Sequence, residues 1–338
     1  MLMVVFGAGA SFDSVPSKPI RAEDINRPPL ANQLFDTRPS FKSAMARFEK
    51  CLPVIPYLQE QHASVERVLE RLQEEAKDYP ERDRQLAAIR WYLHYALWEL
   101  ERRWLGVSQG VTNYKTLLDQ IQRWRKPGQQ VCLATFNYDT MLEAALPTVG
   151  INIENLNSYI RSEYKIIKIH GSINWAREVH NPPFQIDSLN VWDVAYALIS
   201  HAPDIDISKN YRIVGEYPIG KLDGTALFPA LAIPVETKRS FECPEPHMDV
   251  LRQCIKQATK LLIIGWRGME DHFLRLLAEN LVSGISIMAI NGRADEAKQT
   301  LHRIGKAGVK FDAVPSTPMK VGFSDFIVQR IGDDFLKS

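Results

Sequence analysis

The sequence predicts an α/β fold, a doubly wound parallel sheet with an inserted helical module. Three observations carry this expectation. Short apolar runs rich in Val and Ile recur at Leu2–Phe6, Val131–Thr135, Ile166–Ile169, Leu261–Ile264 and Ile285–Ile290, the composition of strands buried on both faces. Most are followed by a stretch of helical character, and strands alternating with helices build a parallel sheet. The runs lead into Gly, Asn, Asp or His, and in an open sheet of the Rossmann-like kind ligands bind outside the carboxyl ends of the strands.

The first run leads into Gly7-Ala8-Gly9-Ala10-Ser11. Glycines there permit a sharp turn and a close approach to a ligand. A helix opening at the turn would aim free N–H groups at a phosphate. A tight turn that binds nothing explains the same residues. This is not the ordinary dinucleotide fingerprint G-x-G-x-x-G, because Phe12 stands at the third glycine. Glu23 and Asp24 lie at about the required 20 residues beyond the turn, but in a Pro-rich loop rather than at a strand end. That loop is expected over Ser11 to Pro29, as a candidate flap above the turn.

Residues 30–125 read as the inserted helical module, too long for a simple crossover. Leu86, Ile89, Leu93, Leu97, Leu100 and Trp104 keep a helical spacing, as do Val65, Val68, Leu72 and Ala76. Trp91, Tyr92, Tyr95, Trp98 and Trp104 add an aromatic surface that could pack inside or meet another chain. Gly106 to Gly110 matches G-x-S-x-G, but that elbow requires a preceding strand, and here an amphipathic helix precedes it. The hydrolase reading is rejected.

The second strand runs into Phe136-Asn137-Tyr138-Asp139 and a helix from Thr140 to about Leu146. The third ends in His170-Gly171-Ser172, with His170 expected at a strand end rather than in a core. Residues 175–235 read as an irregular insertion near the site mouth, with a strand at Ala226–Ile233. Glu245 to Ala258 reads as helix. The fourth strand ends in Gly265-Trp266-Arg267-Gly268, before a helix opened by Glu270-Asp271. The fifth ends in Asn291, before a helix from Ala294 to about Ile304. A sixth strand at Val309–Val314 and a closing helix at Phe323–Phe335 finish the chain. Taken singly, these residues are turn formers and helix caps. Taken together, Gly9, Ser11, Asn137, Asp139, His170, Gly265 and Asn291 would converge on one pocket at the sheet edge.

A net charge of +1 gives no reason to expect a polyanion partner, so direct nucleic-acid binding is not expected. No apolar run reaches the roughly 18 residues of a membrane span, and no basic segment precedes the first run as in a secretory signal. A cytoplasmic protein away from membranes is expected. Cys51, Cys132, Cys243 and Cys254 are scattered without a C-x-x-C pair, and no metal is expected.

These residues, in this order, resemble the sirtuin superfamily. Gly7-Ala8-Gly9-Ala10-Ser11 is similar to its G-A-G-x-S turn, and Thr135 to Asp139 to its T-Q-N-x-D, with Phe136 in place of Gln. His170-Gly171 is similar to its catalytic H-G, and Ile290-Asn291 to the I-N set against the adenosine ribose. Gly265 stands where the family has G-T-S, from which Trp266 and Arg267 depart. The set spans Gly7 to Asn291 and leaves the Leu30–Arg125 and Pro182–Pro234 stretches uncovered. It is most similar to bacterial sirtuin-like proteins that carry G-A-G-A-S, F-N-Y-D and H-G-S and commonly hydrolyse NAD⁺, often as antiphage effectors.

The resemblance implies NAD⁺ as substrate, cleaved to nicotinamide and ADP-ribose or cyclic ADP-ribose. It implies a pyrophosphate held by Gly7, Ala8, Gly9 and Ser11 with Gly265 in the same cofactor-binding set, and the adenosine ribose held by Asn291. Asn137 would position the ribose or the attacking water, His170 would accept a proton, and Asp139 would orient the nicotinamide end or stabilise positive charge. Sirtuin deacylases carry a four-cysteine zinc module after the H-G, and only Cys243 and Cys254 follow His170. A deacylase lacking that module and a non-catalytic sensor of NAD⁺ or ADP-ribose are the alternatives. Control is expected to come from assembly, as a homo-oligomer or with a partner. By analogy with the bacterial proteins, that partner is a ring-forming ATPase or a nucleic-acid-guided protein.

Overall fold

The computed structural model describes residues 1–14, 27–59, 64–108, 110–215, 217–235, 241–281, 284–314 and 322–337. In chain order the elements are β1 (Leu2–Phe6), α1 (Ala8–Asp13), α2 (Pro39–Arg47), α3 (Ile55–Gln59), α4 (Val65–Glu75), α5 (Pro80–Ser108), α6 (Asn113–Trp124), β2 (Val131–Thr135), α7 (Met141–Ala145), α8 (Ser158–Arg161), β3 (Tyr164–Lys168) and β4 (Gly171–His180). They continue with α9 (Val191–Ser200), β5 (Asp206–Ile213), β6 (Lys221–Leu222), β7 (Thr225–Leu231), α10 (Glu245–Gln257), β8 (Lys260–Ile264), α11 (Asp271–Asn280), β9 (Ile285–Ile290), α12 (Ala294–Lys306), β10 (Phe311–Ala313), α13 (Phe323–Val328) and α14 (Asp333–Lys337). The chain divides into two units. One holds Met1–Pro28, Arg103–His170 and Glu245–Ser338; the other holds Pro29–Arg102 and Gly171–Pro244.

The first unit is built on a six-stranded sheet of order β10-β9-β8-β1-β2-β3. Every pairing in it is parallel. The strand order reverses at β1, with β2 and β3 on one side and β8, β9 and β10 on the other. This is the doubly wound topology, and its switch point lies between β1 and β8. Met3, Val4, Val5 and Phe6 of β1 have no exposure, which is why the strand reads as an unbroken apolar run. Each such side chain contributes about 1.5–3 kcal/mol on burial.

Several local expectations change. Ser11 to Asp13 belong to helix α1 rather than to a loop, and most of the expected flap lies outside the described residues. Helix α6, expected in the inserted module, belongs with the sheet. It is capped by Thr112, whose hydroxyl accepts from the Lys115 N–H, and it buries Leu117, Leu118 and Ile121. The closing helix is two short ones, α13 and α14. Arg330 between them has a φ of 54°, outside the helical region. Gly106 to Ser108 of the G-x-S-x-G match close helix α5, so a helix and not a strand precedes the serine.

The second unit joins α2–α4 and the first part of α5 to the stretch expected to be irregular. That stretch is ordered as an antiparallel sheet, β5-β4-β7-β6, with α9 beside it in sequence. Asn190 caps α9 by accepting from the Trp192 and Asp193 N–H groups. The buried face of α4 is Val65, Leu69 and Leu72, while Val68 and Ala76 are half-buried. Trp91, Tyr92 and Trp104 pack inside the chain, and Tyr95 and Trp98 keep partial exposure.

His94 of α5 is buried, with its ring stacked on Tyr217 at 5.2 Å. Burial pushes its pKa from 6.5 down to about 3, opposed only by the Ile173 backbone. With the folded pKa lowered, the unfolded chain takes up the proton first, so stability is full above the unfolded pKa and is lost as pH falls below it. Acidification from about pH 7 to about pH 5 is expected to remove about 2 kcal/mol through this one residue. Thermal unfolding of wild type and His94→Phe at both pH values checks this. An identical acid loss in the two proteins would show that His94 is not its source.

Candidate active site

The carboxyl ends of β1, β8, β2 and β3 place Gly7–Ser11, Gly265, Asn137–Asp139 and His170 along one edge of the first unit's sheet. Across the switch point the two glycine turns pack backbone against backbone. The Gly7 N–H donates to Ile264 O at 3.0 Å, and the Gly9 N–H to Gly265 O at 3.1 Å. A Cβ on Gly7 would lie 2.6 Å from Gly265 O, one on Gly9 2.9 Å from Gly265 Cα, and one on Gly265 2.2 Å from Ala10 N. Gly265 also has a φ of 66°, in the left-handed region that disfavours a side chain. The glycines are therefore required by the contact between these two turns, whether or not a ligand approaches.

The expected pyrophosphate cradle is narrower than the motif implies. The N–H groups of Gly7, Gly9 and Ala10 are engaged by the carbonyls of Ile264, Gly265 and Gly7. Ala8 and Gly9 keep partial exposure at the turn. Gly9→Val would disrupt the packing on Gly265 before it tested any phosphate contact.

Behind the turn lies a polar cluster drawn from α1, α6 and the segment after β2. The Asn137 Nδ2 group, which can only donate, reaches Gly7 O at 3.0 Å, Ser11 Oγ at 2.8 Å and Tyr114 Oη at 3.0 Å. Ser11 Oγ and Tyr114 Oη are 2.9 Å apart. Either hydroxyl of the Ser11–Tyr114 pair can donate to the other. The Asp139 carboxyl lies beside Ser11 and accepts from the Met141 N–H at 3.1 Å. Ser11 and Asn137 are buried, whereas Asp139 and Tyr138 keep partial exposure.

Asp139 is the charged member of this cluster. Burial pushes its carboxyl above the usual range. The Lys168 ammonium, the Ser11 hydroxyl and the Met141 N–H oppose that rise, while Glu143 adds to it. Burial also drives the Tyr114 phenol well above its usual range, so it stays protonated as a donor.

His170 is only 5% exposed, so the expectation of a histidine outside the core is corrected. Its ring packs edge-on against Phe136 at 4.9 Å and lies 6.2 Å from the Tyr138 ring. The other face of this group is aromatic. Phe136 and Trp266 stack on one another at 5.3 Å with an interplanar angle of 7°, and Phe273 packs edge-on against both. Phe136 and Trp266 thus form one contact between the ends of β2 and β8. A single sequence position could not reveal that pairing.

Asn291 is buried at the end of β9. Its Nδ2 donates to Thr300 Oγ1 at 3.2 Å and to Trp266 O at 3.4 Å. Those two bonds tie α12 to the turn after β8. The side chain's amide nitrogen is thus engaged within the fold.

Three site residues went unread in the sequence. Tyr114 looked like an ordinary core residue of an amphipathic helix, and nothing local marks its bonds to Ser11 and Asn137. Lys168 and Glu143 form an ion pair at 2.8 Å with side chains 0% and 8% exposed. Tyr159 donates to Glu143 Oε1 at 3.1 Å, and Lys168 Nζ donates to the Asp139 carbonyl. A lysine within the apolar strand Tyr164–Lys168 was the available signal, because a buried ammonium requires a partner. Among the described residues, no group of three or more His, Cys, Asp or Glu could hold a metal ion, and no helix is long and apolar enough to cross a membrane.

No family model and no curated protein matches the chain. Among solved structures, the chain is similar to a sirtuin studied for its substrate affinity, at 11% identity, covering 100% of this chain and 94% of that one, with a TM-score of 0.39. It is also similar to a Sir2 protein in complex with an inhibitor, an acetyl-ADP-ribose and a deacetylated peptide, at 11% identity, 100% and 95% coverage and a TM-score of 0.38. A third likeness is to a Sir2 enzyme studied for mechanism and regulation, at 14% identity, 90% coverage of each chain and a TM-score of 0.32. Likenesses this distant carry no statement about a ligand or a reaction.

Proposed function

We propose that this site binds NAD⁺ and cleaves the bond between nicotinamide and ribose, releasing nicotinamide and ADP-ribose or its cyclic form. The observation that supports this reading is the hydrogen-bonded cluster of Ser11, Asn137 and Tyr114, with the Asp139 carboxyl beside it, next to the switch point of a parallel sheet. His170 stands at the end of the strand next to β2. When the glycosidic bond breaks, its electron pair passes to the ring nitrogen and nicotinamide leaves neutral. Positive charge then develops on the ribose, as in other glycosyl transfers. The half-buried Asp139 carboxylate is suited to oppose that charge. In the hydrolytic branch, water adds at the anomeric carbon and its proton passes to His170. Asn137, whose amide orientation is set by three acceptors, positions the ribose or the water.

The test is purified protein incubated with NAD⁺, with products separated by chromatography. Nicotinamide appearing with ADP-ribose or cyclic ADP-ribose supports the reading. An acylated ADP-ribose formed only when an acyl-peptide is added would assign deacylation instead. Binding without turnover would assign a sensor.

A role as an antiphage effector, kept quiet at rest and switched on by assembly, completes the proposal. What supports assembly is the half-exposed aromatic group of Tyr95, Trp98, Trp192 and Tyr217 with the Arg47 guanidinium 4.4 Å from the Trp192 ring, residue types enriched at interfaces. Turnover and light scattering measured together over a dilution series should fall together. A monomer that is fully active at every dilution, with or without added partner proteins, would overturn control by assembly.

A further inference from the structure

We infer that Lys168 is a positioning residue of this site: its ammonium clamps the Asp139 carbonyl and the Glu143 carboxylate, and so holds the Asn137–Asp139 turn against the end of β3 that carries His170. The inference rests on the proposed reading only for the reaction it would serve. The contacts stand without it.

The geometry is specific. Lys168 is the last residue of β3, two before His170, and its side chain has no exposure. Its Nζ donates to Glu143 Oε1 on α7 at 2.8 Å and to the Asp139 carbonyl in the turn that precedes α7. Tyr159 donates to the same Glu143 oxygen. Glu143 Oε2 is buried without a hydrogen bond. One cation therefore serves two partners, and one of them is a backbone atom of the residue whose carboxyl enters the cluster. A lysine needed only to neutralise Glu143 would have no use for the Asp139 carbonyl. The side chains that face the Asp139 carboxyl include Lys168 from β3, Glu143 from α7, Ser11 from α1 and Tyr114 from α6, and the Met141 N–H donates to it at 3.1 Å. Lys168 is the one cation among them, set against two carboxylates. Removing it would both release the turn and leave Asp139 opposed by Glu143.

A buried pair can be exchanged for neutral groups of similar size with little loss of stability, whereas removing one partner alone is strongly destabilising. The test therefore uses the double variant Lys168→Met/Glu143→Gln beside Lys168→Met. In the double variant the melting temperature is expected to return close to that of wild type. NAD⁺ cleavage is nevertheless expected to fall at least about tenfold, with its acid limb moved to higher pH. The Asp139 carboxyl, followed by carbon-13 NMR, is expected to titrate at higher pH than in wild type. A double variant with wild-type turnover and a wild-type Asp139 titration would reduce Lys168 to a structural ion pair and overturn the inference. If wild type cleaves no NAD⁺, the proposed reaction fails while the NMR titration still decides the role of Lys168. An unshifted Asp139 overturns it, and a raised one sustains it. Should the double variant fail to fold, Glu143→Gln alone, with Lys168 retained, provides the comparison. Asp139 should then titrate no higher than in wild type, and a rise would overturn the inference.

Discussion

His170→Ala is expected to lower NAD⁺ cleavage by about 10²–10⁴-fold, the ordinary contribution of a general base. The same change removes a buried ring that packs on Phe136, so alanine also leaves a cavity, at a cost of a few kcal/mol. His170→Gln, which keeps more of the volume and cannot take up the proton, separates the two effects. Both variants should lose turnover, and the glutamine variant should melt nearer to wild type. Steady-state kinetics beside thermal unfolding checks this. Turnover within a fewfold of wild type in His170→Gln would remove the residue from the chemistry. A loss confined to variants that have unfolded would make His170 a core residue and nothing more.

The largest effect on stability is expected from Gly265→Ala. The new Cβ would sit 2.2 Å from Ala10 N, with backbone on the opposing side and no flexible side chain to yield. It would also sit on a residue at φ 66°. Left-handed strain costs about 1–3 kcal/mol and overpacking typically another 1–3. A combined loss of roughly 2–6 kcal/mol is a large share of the stability of a natural domain. Gly128→Ala is the control, because Gly128 has a φ of 75° with nothing within 4 Å of a new Cβ. It should lose only the conformational part. Equal losses in the two variants would mean that the turns after β1 and β8 can separate freely, contrary to the close packing described above.

The parallel sheet was legible because burial on both faces demands unbroken apolar runs. Leu2–Phe6, Val131–Thr135 and Lys260–Ile264 lie where those runs predicted strands. The antiparallel sheet of the second unit was not legible, for the same physical reason working in reverse. β5, Asp-Ile-Ser-Lys-Asn-Tyr-Arg-Ile, is an edge strand whose one buried residue is Ser208, so its sequence carries almost no apolar pattern. β4 begins directly at Gly171, where a turn motif had absorbed its first residues.

Of the candidate site, the chain itself determined which residue types stand at the strand ends: glycines after β1 and β8, Asn137 and Asp139 after β2, His170 after β3. Local sequence sets these because a strand must stop and turn there, and few residues serve a turn. Tertiary structure decided which of them meet. The strand order brings Gly9 to Gly265 across 256 positions, and it brings Tyr114 of a remote helix to Ser11 and Asn137. It also converts the separate oddities Phe136 and Trp266 into one stacked pair. Lys168 acquires its meaning in the same way. A lysine in an apolar strand is costly until the fold supplies Glu143 and the Asp139 carbonyl, and no local spacing encodes where those partners will be.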